Sequence, residues 1–199
     1  LAAVQAVIDD PGTCVTVVVE PGAQGAEALR TARTGLALYG LGPAAVAVNR
    51  LLPAGGSDAF LAGLAAAQQD RLKAFAAACA ADGVPLRELP HLGREAGLPE
   101  EALAVPFGER RPHAANEPWS VADRLADEGH LVWSLPLPGA GKDGLDLVRR
   151  GDELVVDAEG FRRIMPLPSA LRRCTVQGAA LRDGVLRVRF TPDPGLWPR

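Results

Sequence analysis

The apolar residues of this chain change their spacing part-way along it, and that change constrains the fold most. Cys14-Val-Thr-Val-Val-Val19 and Ala44-Ala-Val-Ala-Val48 are nearly continuous apolar runs. Such runs belong to strands covered on both faces, as in a parallel sheet. Val185-Leu-Arg-Val-Arg-Phe190 alternates instead. It sets Leu186, Val188 and Phe190 on one face and Arg187 and Arg189 on the other, the pattern of a half-buried antiparallel strand. The sequence therefore predicts two kinds of sheet.

The elements around these runs follow from local signals. Leu29, Ala32, Leu36 and Tyr39 share one face of a helix over 24–39, which Gly40 and Gly42 end. Strand, helix and strand with short joints predict a βαβ unit with a right-handed crossover. A second helix is expected after the loop at 51–56, with Ser57 as its N-cap and Leu61, Leu64, Leu72, Phe75 and Cys79 on one stripe. Asp82-Gly83 stops it. A third strand is expected over 84–89, and Pro85, which lacks an N–H, places it at an edge or margin of the sheet. Val4, Val7 and Ile8 open the chain at helical spacing, as if inside a helix, which predicts residues upstream of Leu1.

Residues 91–118 contain Pro99, Pro106, Pro112 and Pro118 and read as irregular, with one short helix over 99–104. Ser120-Val-Ala-Asp123 has the spacing of a capping box and predicts a helix to Glu128. Beyond it, strands are expected at 131–137, 145–150, 153–157 and 160–166, with turns at Gly151-Asp152 and Asp183-Gly184. Short strands with frequent turns predict a sandwich. The expected architecture is an α/β domain over 1–112, a linker with a short helix over 113–130, and an all-β sandwich over 131–199 that folds by itself.

Charge follows the same division. Residues 1–130 carry 10 basic and 16 acidic groups, and residues 131–199 carry 11 and 8. The net charges are thus −6 and +3. Neither is the dominant basic face that nucleic acid would require. The pairs Arg149-Arg150, Arg162-Arg163 and Arg172-Arg173 read as solvated strand ends. No apolar run is long enough to span a bilayer. Cys14, Cys79 and Cys174 form no CxxC pair, and three thiols cannot all pair within one chain, so a reduced, cytoplasmic setting is expected. The three fall at a strand start, at a helix end and in the other domain, and His91, His113 and His130 lack ligand spacing, so no metal site is expected.

Few motifs carry chemistry. Gly139-Ala-Gly-Lys-Asp143 looks like a phosphate loop but lacks the upstream Gly and the Ser or Thr after the Lys. It also joins strands rather than opening a helix. No nucleophile elbow is present. Asn49 is more informative. It ends a predicted parallel strand, where open α/β sheets gather ligands, and its amide can both donate to and accept from the edge of an adenine ring. The alternative is a turn Asn leaving a strand.

Val46-Ala-Val-Asn-Arg-Leu-Leu-Pro53 resembles the "V-V-N-R-V-x-P" segment of ArsA-type ATPases, a family that includes anion-transporting and tail-anchored-protein-targeting members. Glu27-Ala-Leu-Arg-Thr31, before a helix ending Leu38-Tyr39-Gly40, is similar to the family's "E-A-R-R-T". Leu89-Pro90-His-Leu-Gly-Arg-Glu95-Ala-Gly97 resembles its adenine-side loop. The departures are Leu29 in place of the first Arg, and Glu20-Pro21 where the family has "P-E". The resemblance implies a truncated P-loop NTPase sheet, with Asn49 as an adenine contact, Pro90 and Leu92 packed near the base, and Arg50 bracing the loop. It implies ATP and Mg²⁺ as the family's cofactors. The family's phosphate loop and switch segments do not occur here, so the chain alone is expected to be inactive as an ATPase.

A second resemblance covers 131–192. Leu135-Pro-Leu-Pro-Gly139, Asp143-Gly-Leu-Asp-Leu, Asp152-Glu-Leu-Val-Val156, Met165-Pro-Leu-Pro168 and Asp183-Gly-Val-Leu-Arg-Val188 look like a small heat-shock (α-crystallin) domain. Some ArsA-like proteins end in such a domain. The Ile-x-Ile tail motif of true small heat-shock proteins is missing. The resemblance implies the C-terminal portion of a soluble ArsA-like ATPase with a binding sandwich; the alternative is a non-enzymatic scaffold or chaperone-like protein. A homodimer or a missing N-terminal half is the expected partner, with a membrane transporter or client protein beyond it.

Overall fold

A computed structural model describes residues 2–8, 10, 12–53, 58–93 and 118–197. The helix expected over 99–104, Ser57 and the Glu95–Gly97 end of the adenine-side loop lie outside them. The chain divides into two compact units. One holds Leu1–Leu29 and Gly42–Ala115, the other Arg30–Leu41 and Asn116–Arg199.

The first unit contains α1 (Ala2–Ile8), β1 (Val15–Val19), the start of α2 (Ala23–Leu38), β2 (Pro43–Leu51), α3 (Ala59–Ala81) and β3 (Leu86–Pro90). Its strands pair in the order β1-β2-β3, all parallel. Asp58 caps α3 by accepting from the amides of Phe60 (2.8 Å) and Leu61 (3.0 Å). Val19, Val46 and Val48 meet Leu29 of α2 and Leu72, Phe75 and Cys79 of α3 in one buried cluster. Each such side chain contributes about 1.5–3 kcal/mol on burial.

The other face departs from the expectation that both strands are covered. Ala45 and Ala47 of β2 are buried, but their β1 partners Thr16 and Val18 are exposed. Among the described residues β1 pairs only with β2, so its outer edge carries no ladder. The α3 stripe is also shorter than its spacing implies. Leu72, Phe75 and Cys79 are buried, whereas Leu61 and Leu64 are exposed.

The second unit is a sandwich. One sheet has the order β4-β5-β10-β9 and the other β6-β7-β8, all pairs antiparallel. The strands are β4 (Ser120–Arg124), β5 (His130–Pro136), β6 (Leu145–Arg150), β7 (Glu153–Ala158), β8 (Phe161–Pro166), β9 (Cys174–Arg182) and β10 (Val185–Pro192). Short helices α4 (Leu125–Glu128) and α5 (Ser169–Arg172) join them. Leu186, Val188 and Phe190 are buried with Trp133, Leu135, Leu154 and Val156, while Arg187 and Arg189 are exposed, as the alternation requires. Asp183 and Gly184 both have positive φ, 52° and 67°, the geometry of a tight two-residue hairpin.

Three expectations about this unit are corrected. Residues 120–124 form a strand, not a helix, because they pair with His130–Ser134 as the sheet edge. The helix begins only at Leu125, whose amide donates to Asp123. The compact unit extends beyond 131–199, to Arg30–Leu41 and to Asn116, and Leu38 of α2 is fully buried in the sandwich core. Nor are the arginine pairs simply solvated. Arg149 donates to the carbonyls of Gly151 (2.9 Å), Arg172 (3.1 Å) and Cys174, and lies 6.0 Å over the Phe190 ring. Arg172 donates to Leu167 O at 2.7 Å and Arg163 to Leu38 O at 2.7 Å.

Candidate functional site

Parallel strands of an α/β sheet place their C-terminal ends, and the loops after them, on one side. In the first unit β1 ends before Glu20-Pro21, β2 ends through Asn49 and Arg50, and β3 ends at Pro90. Leu51 is paired with Pro90, and the amide of His91 donates to Leu51 O at 2.8 Å. Asn49, Arg50 and Pro90 therefore sit at one end of the sheet. Leu92 lies two residues past β3 and is 51% exposed rather than packed.

The end of β2 is irregular, and its geometry explains which residues hold it. The ladder with β3 shifts register between Val48 and Leu51, and Arg50 has φ of 62°. A residue with a Cβ adopts that left-handed conformation only when its surroundings impose it. Here Asn49 Oδ1 accepts from the amide of Arg50 at 2.9 Å. Gln68 of α3 bridges the kink from the other side. Its Nε2 donates to Arg50 O at 3.3 Å and its Oε1 accepts from the Leu52 amide at 2.8 Å. The Arg50 guanidinium pairs with Glu20 Oε1 at 2.6 Å, and Arg71 Nη1 donates to Pro21 O at 3.4 Å. Two loops are thus tied to each other and to α3.

This arrangement suits binding more than bond-breaking. The half-buried Asn49 amide has two N–H donors and a second oxygen lone pair, the complement of a heterocycle edge. The Glu20 carboxylate at the end of β1 is engaged by Arg50. Gln68 was missed from the sequence. The signal was present, because Gln68 lies three residues after Ala65 and four before Leu72, a polar side chain within the apolar stripe of α3.

The Gly139–Asp143 segment, in the second unit, joins β5 to β6 and turns its groups inward. The Gly141 amide donates to Glu159 Oε1 at 2.8 Å, and Gly139 O accepts from Arg30 at 2.6 Å. Arg30 also pairs with Glu159 Oε2 at 2.9 Å. These contacts hold the Glu159 carboxyl at about 2, the Arg30 hydrogen bond weighing most and the Gly141 amide next. Among the described residues no three His, Cys, Asp or Glu converge as metal ligands.

Against known proteins, residues 128–190 match the family model described as the HSP20-like domain found in ArsA. The chain carries an HSP20-like domain. The matched stretch runs from the end of α4 to Phe190 of β10 and takes in β5 to β9 and most of β10, but not β4. Along its whole length the chain is 50% identical over 200 residues to "Uncharacterized protein SCO2128" of Streptomyces coelicolor, covering 100% of this chain and 50% of the relative. The chain therefore spans about half the length of that relative. "Protein Rv2184c" of Mycobacterium tuberculosis is 52% identical over 64 residues, 32% of this chain and 15% of that protein. Among solved structures, the small heat shock protein AgsA from Salmonella typhimurium is 17% identical, covers 41% of this chain and 92% of its own, and has a TM-score of 0.31. A small heat shock protein from Synechococcus phage S-ShM2 is 13% identical, covers 39% and 95%, and has a TM-score of 0.30. No helix among the described residues is long and apolar enough to cross a membrane.

Proposed function

We propose that this chain is the C-terminal portion of an ArsA-like ATPase, of the anion-transporting or membrane-protein-targeting type. Its α/β unit supplies the adenine side of the nucleotide site and its HSP20-like domain supplies a binding module. The observation that carries the reading is the meeting of Asn49, Arg50 and Pro90 at the C-terminal ends of parallel strands. Their occurrence in one chain with a domain of the kind found in ArsA supports it.

The residues present fit the base of ATP and not its triphosphate or Mg²⁺. Asn49 offers the donor and acceptor that a purine edge needs. The glycine-rich segment at 139–143 instead gives its Gly141 amide to Glu159. On this reading phosphate and Mg²⁺ chemistry would fall to residues other than these, and no step of it is assigned to this chain. The setting proposed for the protein is the cytoplasm.

This chain should then bind adenine nucleotide weakly, with affinity centred on Asn49, and turn none over. Calorimetric titration of ATP into the chain and into Asn49→Ala tests this. Loss of about 1–3 kcal/mol of binding free energy in the variant is expected. Equal affinity in both would remove Asn49 from the site.

The HSP20-like domain favours a second reading, a chaperone-like binding protein whose α/β unit is structural only. Suppression of a client's aggregation without nucleotide, unchanged by Asn49→Ala and by ATP, would select it.

A further inference from the structure

The outward face of the β4-β5-β10-β9 sheet is basic, flat and without a counter-charge. Arg187 stands in register between Ser134 and Ala180, and Arg189 between Val132 and Gly178. Arg182 extends the same face one row further along β9. Arg182, Arg187 and Arg189 are exposed, and among the described residues none of the three forms an ion pair or hydrogen bond. No Asp or Glu occupies the facing positions in these rows, including Ser120 and Ala122 on β4. The neighbours of the two central arginines are small, so the guanidinium groups stand above a shallow floor.

We propose that this face docks an extended acidic segment of a partner protein. Side chains on one face of a strand repeat every second residue, roughly 7 Å. Arg187 and Arg189 have that spacing, and so do alternate carboxylates of an extended peptide. The small floor residues leave room for a backbone laid across the sheet. Single-stranded nucleic acid would need exposed aromatic rings for base stacking. The aromatic residues of these strands, Trp133 and Phe190, are buried in the core. A membrane surface would need long apolar side chains that insert, and this face offers only Val132 and Val185, both half-buried, and Pro136. Arginine is also suited to bidentate pairing with carboxylates. The surface lies on the opposite side of the sheet from the sandwich core and owes nothing to the proposed nucleotide site.

The test uses the full chain, its Arg187→Glu/Arg189→Glu variant and its Arg187→Ser/Arg189→Ser variant. The probe is a fluorescent peptide alternating Glu and Ser, with a Lys-Ser peptide of equal length as the reverse. Fluorescence anisotropy should show saturable binding of the acidic peptide that weakens as salt rises. Affinity should fall at least about tenfold in the Glu variant and by less in the Ser variant. The Lys-Ser peptide should bind the Glu variant in preference to the wild type. Unchanged thermal unfolding of both variants would show that the fold is intact, as expected for outward side chains. Equal binding by wild type and both variants would overturn the proposal. So would tighter binding of a single-stranded oligonucleotide or of phosphatidylserine vesicles than of the acidic peptide.

Discussion

Replacement of Leu38 by Ala is expected to destabilise the HSP20-like domain by about 2–5 kcal/mol, although Leu38 lies more than 80 residues before its first strand. The side chain is 0% exposed within a core built from Leu135, Leu137, Met165, Leu167 and Val188. Ala keeps the helical propensity of α2, so the loss is one of packing rather than of helix formation. The backbone around it is held independently. Arg163 donates to Leu38 O at 2.7 Å, and Thr34 Oγ1 donates to Pro138 O at 2.9 Å. These contacts keep the helix in place while a cavity opens beneath it, the condition under which truncation costs most. Chemical denaturation followed by tryptophan fluorescence measures the effect. A change below about 0.5 kcal/mol would mean that the core closes without α2. On the same grounds a fragment covering 131–199 should unfold without a sharp transition, because it lacks both Leu38 and β4.

Glu159→Gln should destabilise the same domain by about 1–3 kcal/mol at neutral pH, and the difference should vanish on acidification. In the native protein the Glu159 carboxyl titrates at about 2 instead of 4.5, because Arg30 and the Gly141 amide bind its ionised form. A folded-state value below the unfolded one means that the unfolded chain takes up the proton first as pH falls. The stabilisation is therefore fully present above about 4.5 and drains away between there and about 2. Unfolding midpoints of wild type and variant, measured from neutral pH downward, should converge across that window. Curves that stay parallel throughout would show that ionisation of Glu159 contributes nothing to stability.

The sequence was most legible where burial is periodic and the turn residues are explicit. Val185–Phe190 announces its inward and outward faces, and Gly151-Asp152 and Asp183-Gly184 fix the hairpins beside it. Two strands escaped. In β9 the run Cys174–Arg182 is interrupted by Gly178 and by a register shift opposite Arg189 and Phe190, which removes the alternation. In β4 every residue is exposed, so no apolar period marks it, and Asp123 imitates the acidic member of a capping box while its side chain in fact accepts from the Leu125 amide just before the short helix. Helix α2 misled for another reason. Leu29 and Leu38 are both buried, but in the cores of different units, so the face read from Leu29 to Tyr39 drifts off the contact and leaves Tyr39 half exposed. The candidate site was legible in part. Asn49 and Pro90 lie at the ends of parallel strands, as the strand pattern alone places Asn49. Gln68 and the Arg50–Glu20 pair depend on contacts between distant segments, which no local spacing encodes.

The central claim is that the C-terminal end of the parallel sheet receives an adenine ring. Titrating adenosine monophosphate into isotopically labelled chain, with amide correlation spectra recorded at each step, tests it most directly. Saturable shifts are expected at the amides of Arg50, which donates to Asn49, of Leu52, held by Gln68, and of His91, which donates to Leu51. Shifts confined to the strands of the HSP20-like domain, or an unchanged spectrum at saturating ligand, would contradict it.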